Sequence, residues 1–104
     1  MKTLITATTN PATSTAITIG SDPSWALPAA PVTLYLTGVA SGDDKITVQY
    51  PDGDTWRDAK IGGQTVALDA NTNLRTIYGP LTFRLSKTVT TAAIGATIET
   101  TRGV

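Results

Sequence analysis

The sequence contains no cysteine and no histidine, and it carries little charge. Without cysteine the chain has no disulfide framework, no thiol nucleophile and no thiolate ligand for a metal. Without histidine it lacks the commonest general base, the commonest metal ligand and the side chain that titrates near neutral pH. These absences exclude a Ser-His-Asp triad, a zinc finger and an HExxH zinc protease.

Charged residues make up 15% of the 104 residues, with 8 basic against 8 acidic side chains. An ordinary domain has about 25% charged residues, and a protein that binds nucleic acid needs a basic surplus for its phosphate contacts. The balance therefore predicts no nucleic-acid partner. The length predicts one domain, because a compact unit typically holds about 100–150 residues.

No segment predicts a secretory leader or a membrane span. The apolar stretch after Lys2 is shorter than the roughly 7–15 residues of a leader's apolar region. The least polar run, 25–32, is interrupted by Pro28 and Pro31. We therefore expect a protein that is made in the cytoplasm and has no membrane partner.

The composition favours strands over helices. Threonine occurs 21 times, whereas Glu99 is the only glutamate. Apolar and polar residues alternate from residue 32 onward, and a period of two is that of a strand with one buried face. The clearest segments are 32–37, 46–50, 81–86 and 94–99, and shorter candidates lie at 17–19, 55–61, 65–68 and 74–78.

Turn residues separate these segments about every 8–12 residues, which is the spacing of a sandwich or a barrel. We predict an all-β fold: a single β-sandwich, jelly-roll or immunoglobulin-like, with about seven or eight short antiparallel strands. The sandwich is assigned to residues 17–104. For residues 1–16 we predict an extended N-terminal arm that lies along the sheet edge of a neighbouring subunit. Its deletion is then expected to weaken assembly and to leave the sandwich folded.

Acidic turns offer the strongest candidate catalytic groups. Asp43 and Asp44 could pair with Asp52 or Asp54 as a carboxylate dyad for glycoside hydrolysis. Nothing in the spacing brings these two turns together, so the pattern favours solvated turns. We therefore predict that the protein is not an enzyme and has no cofactor and no metal site.

Three residues are candidates for a partner interface: Trp25, Leu27 and Arg84. Trp25 and Leu27 lie in a proline-rich segment, where Trp25 either caps one end of the sandwich or anchors a protein–protein contact. Arg84 is predicted on the outer face of its strand, as a solvated or subunit-facing charge. The stretch 52–56 (DGDTW) predicts a hairpin tip that leads into a strand whose Trp56 packs on the core.

Five segments between residues 32 and 98 together form a family-like pattern. They are VTLYLTG at 32–38, ITVQY at 46–50, DGDTW at 52–56, IYGPLTFRLSK at 77–87 and IGATI at 94–98. In this order they resemble a type of small β-sandwich bacteriophage virion protein, the capsid decoration (cement) proteins. In such proteins a Gly-Pro turn, an arginine-containing strand and a final strand similarly follow a D-G-x-x-W hairpin.

The resemblance implies a structural protein of the virion that decorates the outside of a phage capsid and stabilises it by bridging neighbouring capsid subunits. It implies the major capsid protein or other virion proteins as partners, and a homo-oligomer, often a trimer. The scarcity of charge independently predicts a homo-oligomer, because charged residues normally guard exposed sheet edges against pairing.

Two alternatives remain open. The chain is either a sandwich of a phage tail, head fibre or baseplate that contacts a host-surface glycan or receptor, or a free-standing carbohydrate-binding-type module. In the first alternative, exposed aromatics such as Trp25, Trp56 or Tyr35 would make the contact.

Overall fold

The computed structural model describes residues 2–19, 32–77 and 81–100, which contain twelve β-strands and no helix. The predicted all-β fold is confirmed for this part of the chain, and its strand pairs are antiparallel. In chain order the strands are β1 (Lys2–Thr8), β2 (Ala12–Thr13), β3 (Ile17–Ile19), β4 (Val32–Thr37), β5 (Lys45–Asp52), β6 (Thr55–Asp58), β7 (Lys60–Ile61), β8 (Gln64–Thr65), β9 (Ala67–Asp69), β10 (Leu74–Ile77), β11 (Leu81–Lys87) and β12 (Ile94–Thr100).

The strands form two main sheets and one small hairpin. The four-stranded sheet has the order β1-β12-β4-β10. The six-stranded sheet has the path β2-β11-β5-β6, with β3 also paired to β11 and β9 also paired to β5. The hairpin consists of β7 and β8, and its turn contains Gly62 and Gly63, both with positive φ.

Side chains from both sheets meet in one hydrophobic core. On β11 the alternation holds as predicted: Phe83 and Leu85 are fully buried, whereas Arg84 between them is only partly buried. One face of β4, β5 and β12 likewise contributes to the core, and on β5 and β12 the intervening residues Thr47 and Gly95 are buried as well. The core consists of Ile5, Val32, Leu34, Ala40, Ile46, Val48, Val66, Leu68, Ile77, Phe83, Leu85, Ile94, Ala96 and Ile98.

The number of strands is larger than the seven or eight predicted, so that part of the fold prediction was wrong. Three of the additional strands, β2, β7 and β8, have two residues each. Such short strands exist because a neighbour supplies the hydrogen bonds, and two residues are too few to carry a hydrophobic period.

The N-terminal segment lies in the sheets, whereas the sequence predicted an extended arm. β1 pairs with β12, and Ile5 belongs to the core. The register of this pairing shifts between Thr3 and Ile5 and again between Ile5 and Thr8. Because of these irregularities, the adjacent residues Leu4 and Ile5 both contact the core. A search for a strict period of two does not detect such a strand.

Candidate interaction surface

A row of polar side chains crosses the outer face of the six-stranded sheet. In the strand register Arg84 lies opposite Gln49, and Gln49 lies opposite Asp58. The Arg84 Nε donates a hydrogen bond to the Gln49 side-chain oxygen at 2.9 Å, and the Gln49 amide donates to the Asp58 carboxylate at 3.0 Å. The predicted outward position of Arg84 is therefore observed, and two neighbouring strands hold its side chain in place.

Trp56 lies on this outer face and not in the core, so its predicted core position was wrong. Trp56 lies opposite Pro51 in the strand register. The Pro51–Trp56 pair is two positions along the strands from the Gln49–Asp58 pair, so the side chains of both pairs are on the same face of the sheet. The Arg84 guanidinium lies over its ring, 4.5 Å from the ring centroid. Cation–π contacts of this kind are worth about 0.5–1 kcal/mol at exposed sites. Trp56 and Arg84 thus form a stacked pair on a sheet face that is open to solvent.

A cleft of about 660 Å³ runs along β6 beside this pair, and we call it the β6 cleft. Its lining residues are Tyr50, Trp56, Arg57, Asp58 and Lys60. Arg57 is held by an ion pair with Asp52 at the base of the β5–β6 turn. The lining of the β6 cleft therefore combines acidic, basic and aromatic residues at one edge of the sheet, and the strand register places Tyr50 and Trp56 on opposite faces of the β5–β6 hairpin.

The second notable region is one end of the molecule, where the connections 9–11, 38–44, 70–73 and 88–93 lie next to each other; we call it the loop end. Its contacts join residues that are distant in sequence. The Thr90 amide donates to the Thr9 carbonyl at 3.0 Å. A Cβ on Gly38, which has φ 87°, would lie 2.5 Å from the Ala93 carbonyl oxygen. The connections at this end are thus packed against one another.

A buried carboxylate holds two of these loops together. Asp44 is 6% exposed, although the sequence predicted that it would lie in a solvated turn, which was wrong. Its carboxylate accepts hydrogen bonds from the backbone amides of Ser41, Thr91 and Ala92 at 3.2, 2.8 and 2.9 Å. Hydrogen bonds to a charged group are stronger than those between neutral groups, so the buried carboxylate stabilises both loops.

Lys87 is the second buried charge at the loop end, at 3% exposure. Its Nζ donates to the carbonyl oxygens of Asn10 at 2.8 Å and Thr88 at 3.0 Å. Burial lowers the pKa of Lys87, and the negative charge of Asp44 opposes that shift. The lysine therefore ties the 9–11 connection to the end of β11.

The loop end also presents apolar side chains to solvent. Val39, on the 38–44 loop, is 83% exposed, and Val89, on the 88–93 loop, is 71% exposed. Because the Asp44 carboxylate is hydrogen-bonded to both loops, Val39 and Val89 lie on loops that are fixed relative to each other.

Replacing Asp44 with asparagine is expected to lower stability at pH 7 and to lower it progressively less as the pH falls below 3.8, the ordinary pKa of the carboxyl group. The backbone amides of Ala92 and Thr91 hold the pKa of Asp44 below its ordinary value of 3.8; Ser41 and the Lys87 charge add to this, while burial opposes it. A lowered folded-state pKa means that the contribution is complete above the unfolded-state pKa and is lost as the pH falls through the folded-state value.

Urea unfolding of wild type and Asp44→Asn between pH 3 and pH 7 measures this contribution. Asp43→Asn is the matched control, because Asp43 is exposed in the same turn. A difference between wild type and Asp44→Asn that stays constant over the whole range would contradict the assignment.

The two acidic turns that formed the candidate dyad lie far apart. Asp44 precedes β5 and Asp52 ends it, so the strand separates them by roughly 25 Å at ~3.3 Å per residue. Within the described ranges no group of three or more acidic residues is placed to hold a metal ion.

The other predicted interface residues have different outcomes. Trp25 and Leu27 lie outside the described residues. Tyr35 is on β4, in the other sheet from Trp56, and its hydroxyl donates to Glu99 at 3.4 Å. Trp56 and Tyr35 therefore do not form one site.

Sequence reasoning missed Asp44 and Lys87. For Lys87 a signal was present, since the alternation that buries Phe83 and Leu85 also points residue 87 inwards. For Asp44 there was none, because its partners Thr91 and Ala92 lie almost fifty residues away.

Across the described ranges no helix is long and apolar enough to cross a membrane. Comparison of the chain with protein-family models, with curated proteins and with solved structures found no match.

Proposed function

We propose that this protein is a non-enzymatic structural component of a bacteriophage particle, which decorates the capsid and stabilises it by bridging neighbouring capsid subunits. The proposal begins from the resemblance of the strand and turn segments to capsid decoration proteins. The observation that carries it furthest is the loop end, where Asp44 and Lys87 brace loops that present Val39 and Val89. Exposed apolar side chains on loops held in place in this way are suited to a surface that a partner covers when the particle assembles.

The fold in this proposal is a β-sandwich. The support is the single core to which both sheets contribute, including Leu34 from the four-stranded sheet and Phe83 from the six-stranded sheet. A sandwich leaves its connecting loops at the two ends, where a partner can reach them.

Stabilisation in this mechanism follows from mass action. A protein that binds the assembled shell but not the dissociated subunits lowers the free energy of the assembled state and leaves that of the subunits unchanged. The equilibrium therefore shifts towards the assembled shell. Apolar side chains at the centre of such a contact contribute about 25 cal/mol for each Å² removed from water. Val39 and Val89 are the described side chains at the loop end that have such area to lose.

The direct experiment is cosedimentation with particles of the parent phage that lack this protein. We expect the wild type to bind and to raise the temperature at which the particles dissociate. The double variant Val39→Asp/Val89→Asp is expected to lose binding, because it places charge at the centre of the contact. Ile61→Asp is the matched control, since Ile61 is also 71% exposed but lies on the β7–β8 hairpin.

The outcomes separate the parts of the proposal. Absence of wild-type binding would contradict the capsid role. Unchanged binding of the double variant would leave the role intact and exclude the loop end as the contact. Light scattering on a size-exclusion column tests the expected homo-oligomer, and a trimer would support a symmetric virion component.

A further inference from the structure

The polar row on the outer face of the six-stranded sheet carries opposite charges at its two ends. Arg84 is on β11, Gln49 on β5 and Asp58 on β6, and the strand register places the three residues side by side. Because adjacent strands are about 4.8 Å apart, Arg84 and Asp58 are on strands about 10 Å apart, with Gln49 midway between them. The row therefore has a positive end, a neutral centre and a negative end.

The Arg84 guanidinium keeps hydrogen-bond donors for a partner. Its Nε donates to Gln49, and the guanidinium lies over the Trp56 ring. Its two terminal nitrogens have no hydrogen-bond or ion-pair partner among the described residues. A guanidinium that stacks on a ring leaves the N–H groups at its edge free, and their geometry matches that of a carboxylate. Arg84 is thus oriented by its neighbours and is unpaired at its charged end.

Asp58 provides the matching acceptor. It is exposed, and one of its carboxylate oxygens accepts from the Gln49 amide. The other oxygen has no hydrogen-bond partner in the described part of the chain. Within the described ranges Arg84 and Asp58 form no ion pair with each other, since Gln49 lies between them. Each copy of the chain therefore offers free donors and a free acceptor on the same face.

Two arrangements with a two-fold axis place the rows of two copies face to face, and the charges favour one of them. An axis that is parallel to β5 and passes over Gln49 places β11 of each copy against β6 of the other. Arg84 of one copy then faces Asp58 of the second copy, and the same contact occurs twice, as in an isologous interface. An axis along the row would instead oppose Arg84 to Arg84 and Asp58 to Asp58, and like charges in such positions are strongly unfavourable.

Apolar surface lies beside these charges. Trp56 and Pro51 form the pair two positions along the strands on the same face, where Trp56 is partly exposed and Pro51 is exposed. Because the Arg84 guanidinium lies over the indole, the ring has little conformational entropy left to lose when a partner covers it. Tryptophan and arginine are among the residue types most enriched at the energetic centres of interfaces.

We propose that the outer face of the six-stranded sheet is a dimer interface, in which Arg84 of each copy pairs with Asp58 of the other and Trp56 is covered. The occupant of this face is a second copy of the chain, because the donors and the acceptor of the contact are both present on one surface. The contact uses a sheet face and does not involve Val39 or Val89 at the loop end. It therefore does not depend on the proposed capsid role.

The experiment measures the Kd of the dimer by sedimentation velocity for the full chain and three charge-reversal variants. The wild type is expected to dimerise. Arg84→Glu and Asp58→Lys each oppose like charges at both contacts, so each is expected to raise the Kd about a hundredfold or more. Arg57→Glu is the matched control and is expected to dimerise as the wild type does. It makes the same change in charge on the same strand as Asp58, but its side chain is on the opposite face.

An equimolar mixture of Arg84→Glu and Asp58→Lys gives the sharpest result. In a mixed dimer the remaining Arg84 faces the remaining Asp58, and the introduced lysine faces the introduced glutamate. We expect the mixture to recover the dimer, and native mass spectrometry to show one chain of each mass. Circular dichroism checks that each variant is folded. Asp58 is exposed, so Asp58→Lys is informative even if Arg84→Glu unfolds.

A wild type that stays monomeric at every soluble concentration would overturn the proposal, and so would a trimer, because a two-fold contact closes at two copies. It would equally be overturned if folded Asp58→Lys dimerised as the wild type does, or if two folded variants recovered no dimer on mixing. Because the capsid role is tested with loop-end variants and phage particles, the failure of one proposal is distinguishable from failure of the other.

Discussion

Replacing Gly95 with alanine is expected to lower the free energy of unfolding by about 3 kcal/mol or more and to detach β1 from β12. Gly95 is a buried residue of β12, at the point where the β1 register is irregular. A Cβ built there would lie 2.7 Å from the Ala7 nitrogen and 2.9 Å from the Thr6 carbonyl carbon, with the Ile5 oxygen closer still. All three are backbone atoms, so no side chain can rotate away to make room.

The structural consequence follows from the same contacts. β1 approaches β12 this closely because residue 95 has no side chain. To admit even a methyl group, β1 must move outwards, and its movement withdraws Ile5 from the core. Chemical denaturation measures the stability loss, and hydrogen exchange at the amides of β1 detects its detachment.

Gly62→Ala is the informative comparison for Gly95→Ala. Gly62 has φ 60° and no atom within 4 Å of its would-be Cβ, so its variant carries the cost of a left-handed backbone without a steric clash. That cost is about 1–2 kcal/mol. Equal losses in the two variants would show that the close approach of β1 to Gly95 does not contribute.

Deleting residues 1–16 is expected to abolish cooperative unfolding, contrary to what an extended arm would allow. The deletion removes β1, with Ile5, and β2, which pairs with β11. It also removes Ser14, whose hydroxyl accepts from the Leu85 amide at 2.8 Å, and the carbonyl of Asn10 that accepts from Lys87. One face of the core and two buried polar groups would then be exposed to water or left without partners.

Circular dichroism and thermal unfolding of the truncated chain give the answer. A point variant grades the effect: Ile5→Ala is expected to cost about 2–4 kcal/mol, as for other large-to-small changes in a core. Thr6→Ala, at an exposed position of the same strand, is expected to cost well under 1 kcal/mol. If the truncated chain unfolds cooperatively at the wild-type temperature, residues 1–16 are an independent arm after all.

Much of the core could be predicted from the sequence, because a strand with one buried face repeats every two residues. The two-residue alternation of apolar and polar residues predicted that Val32, Ile46, Phe83 and Ile94 lie on the buried faces of their strands, and all four are buried. It failed for β1, where an irregular register brings two adjacent residues to the core. It also failed at Trp56, since the DGDTW turn defines where β6 begins but not which face its side chains take.

The candidate sites were less predictable, for a different reason. Arg84 was placed on the outer face by alternation alone. Its position over Trp56 and its bond to Gln49 depend on the pairing of β11 with β5 and of β5 with β6. Pairing between distant segments is a property of the assembled sheet and leaves no local signal in any one strand.

By itself, the amino-acid sequence determined the strand-rich fold, the lack of histidine and thiol chemistry, and the buried faces of the longest strands. These follow from composition and from short-range periodicity, which act along the chain. The tertiary structure decided that the N-terminal residues belong to the sheets and that Asp44 is a buried brace. It also placed the Arg84 guanidinium over the Trp56 ring. These are long-range contacts, whose free energy arises only when segments far apart in the chain exclude water from each other.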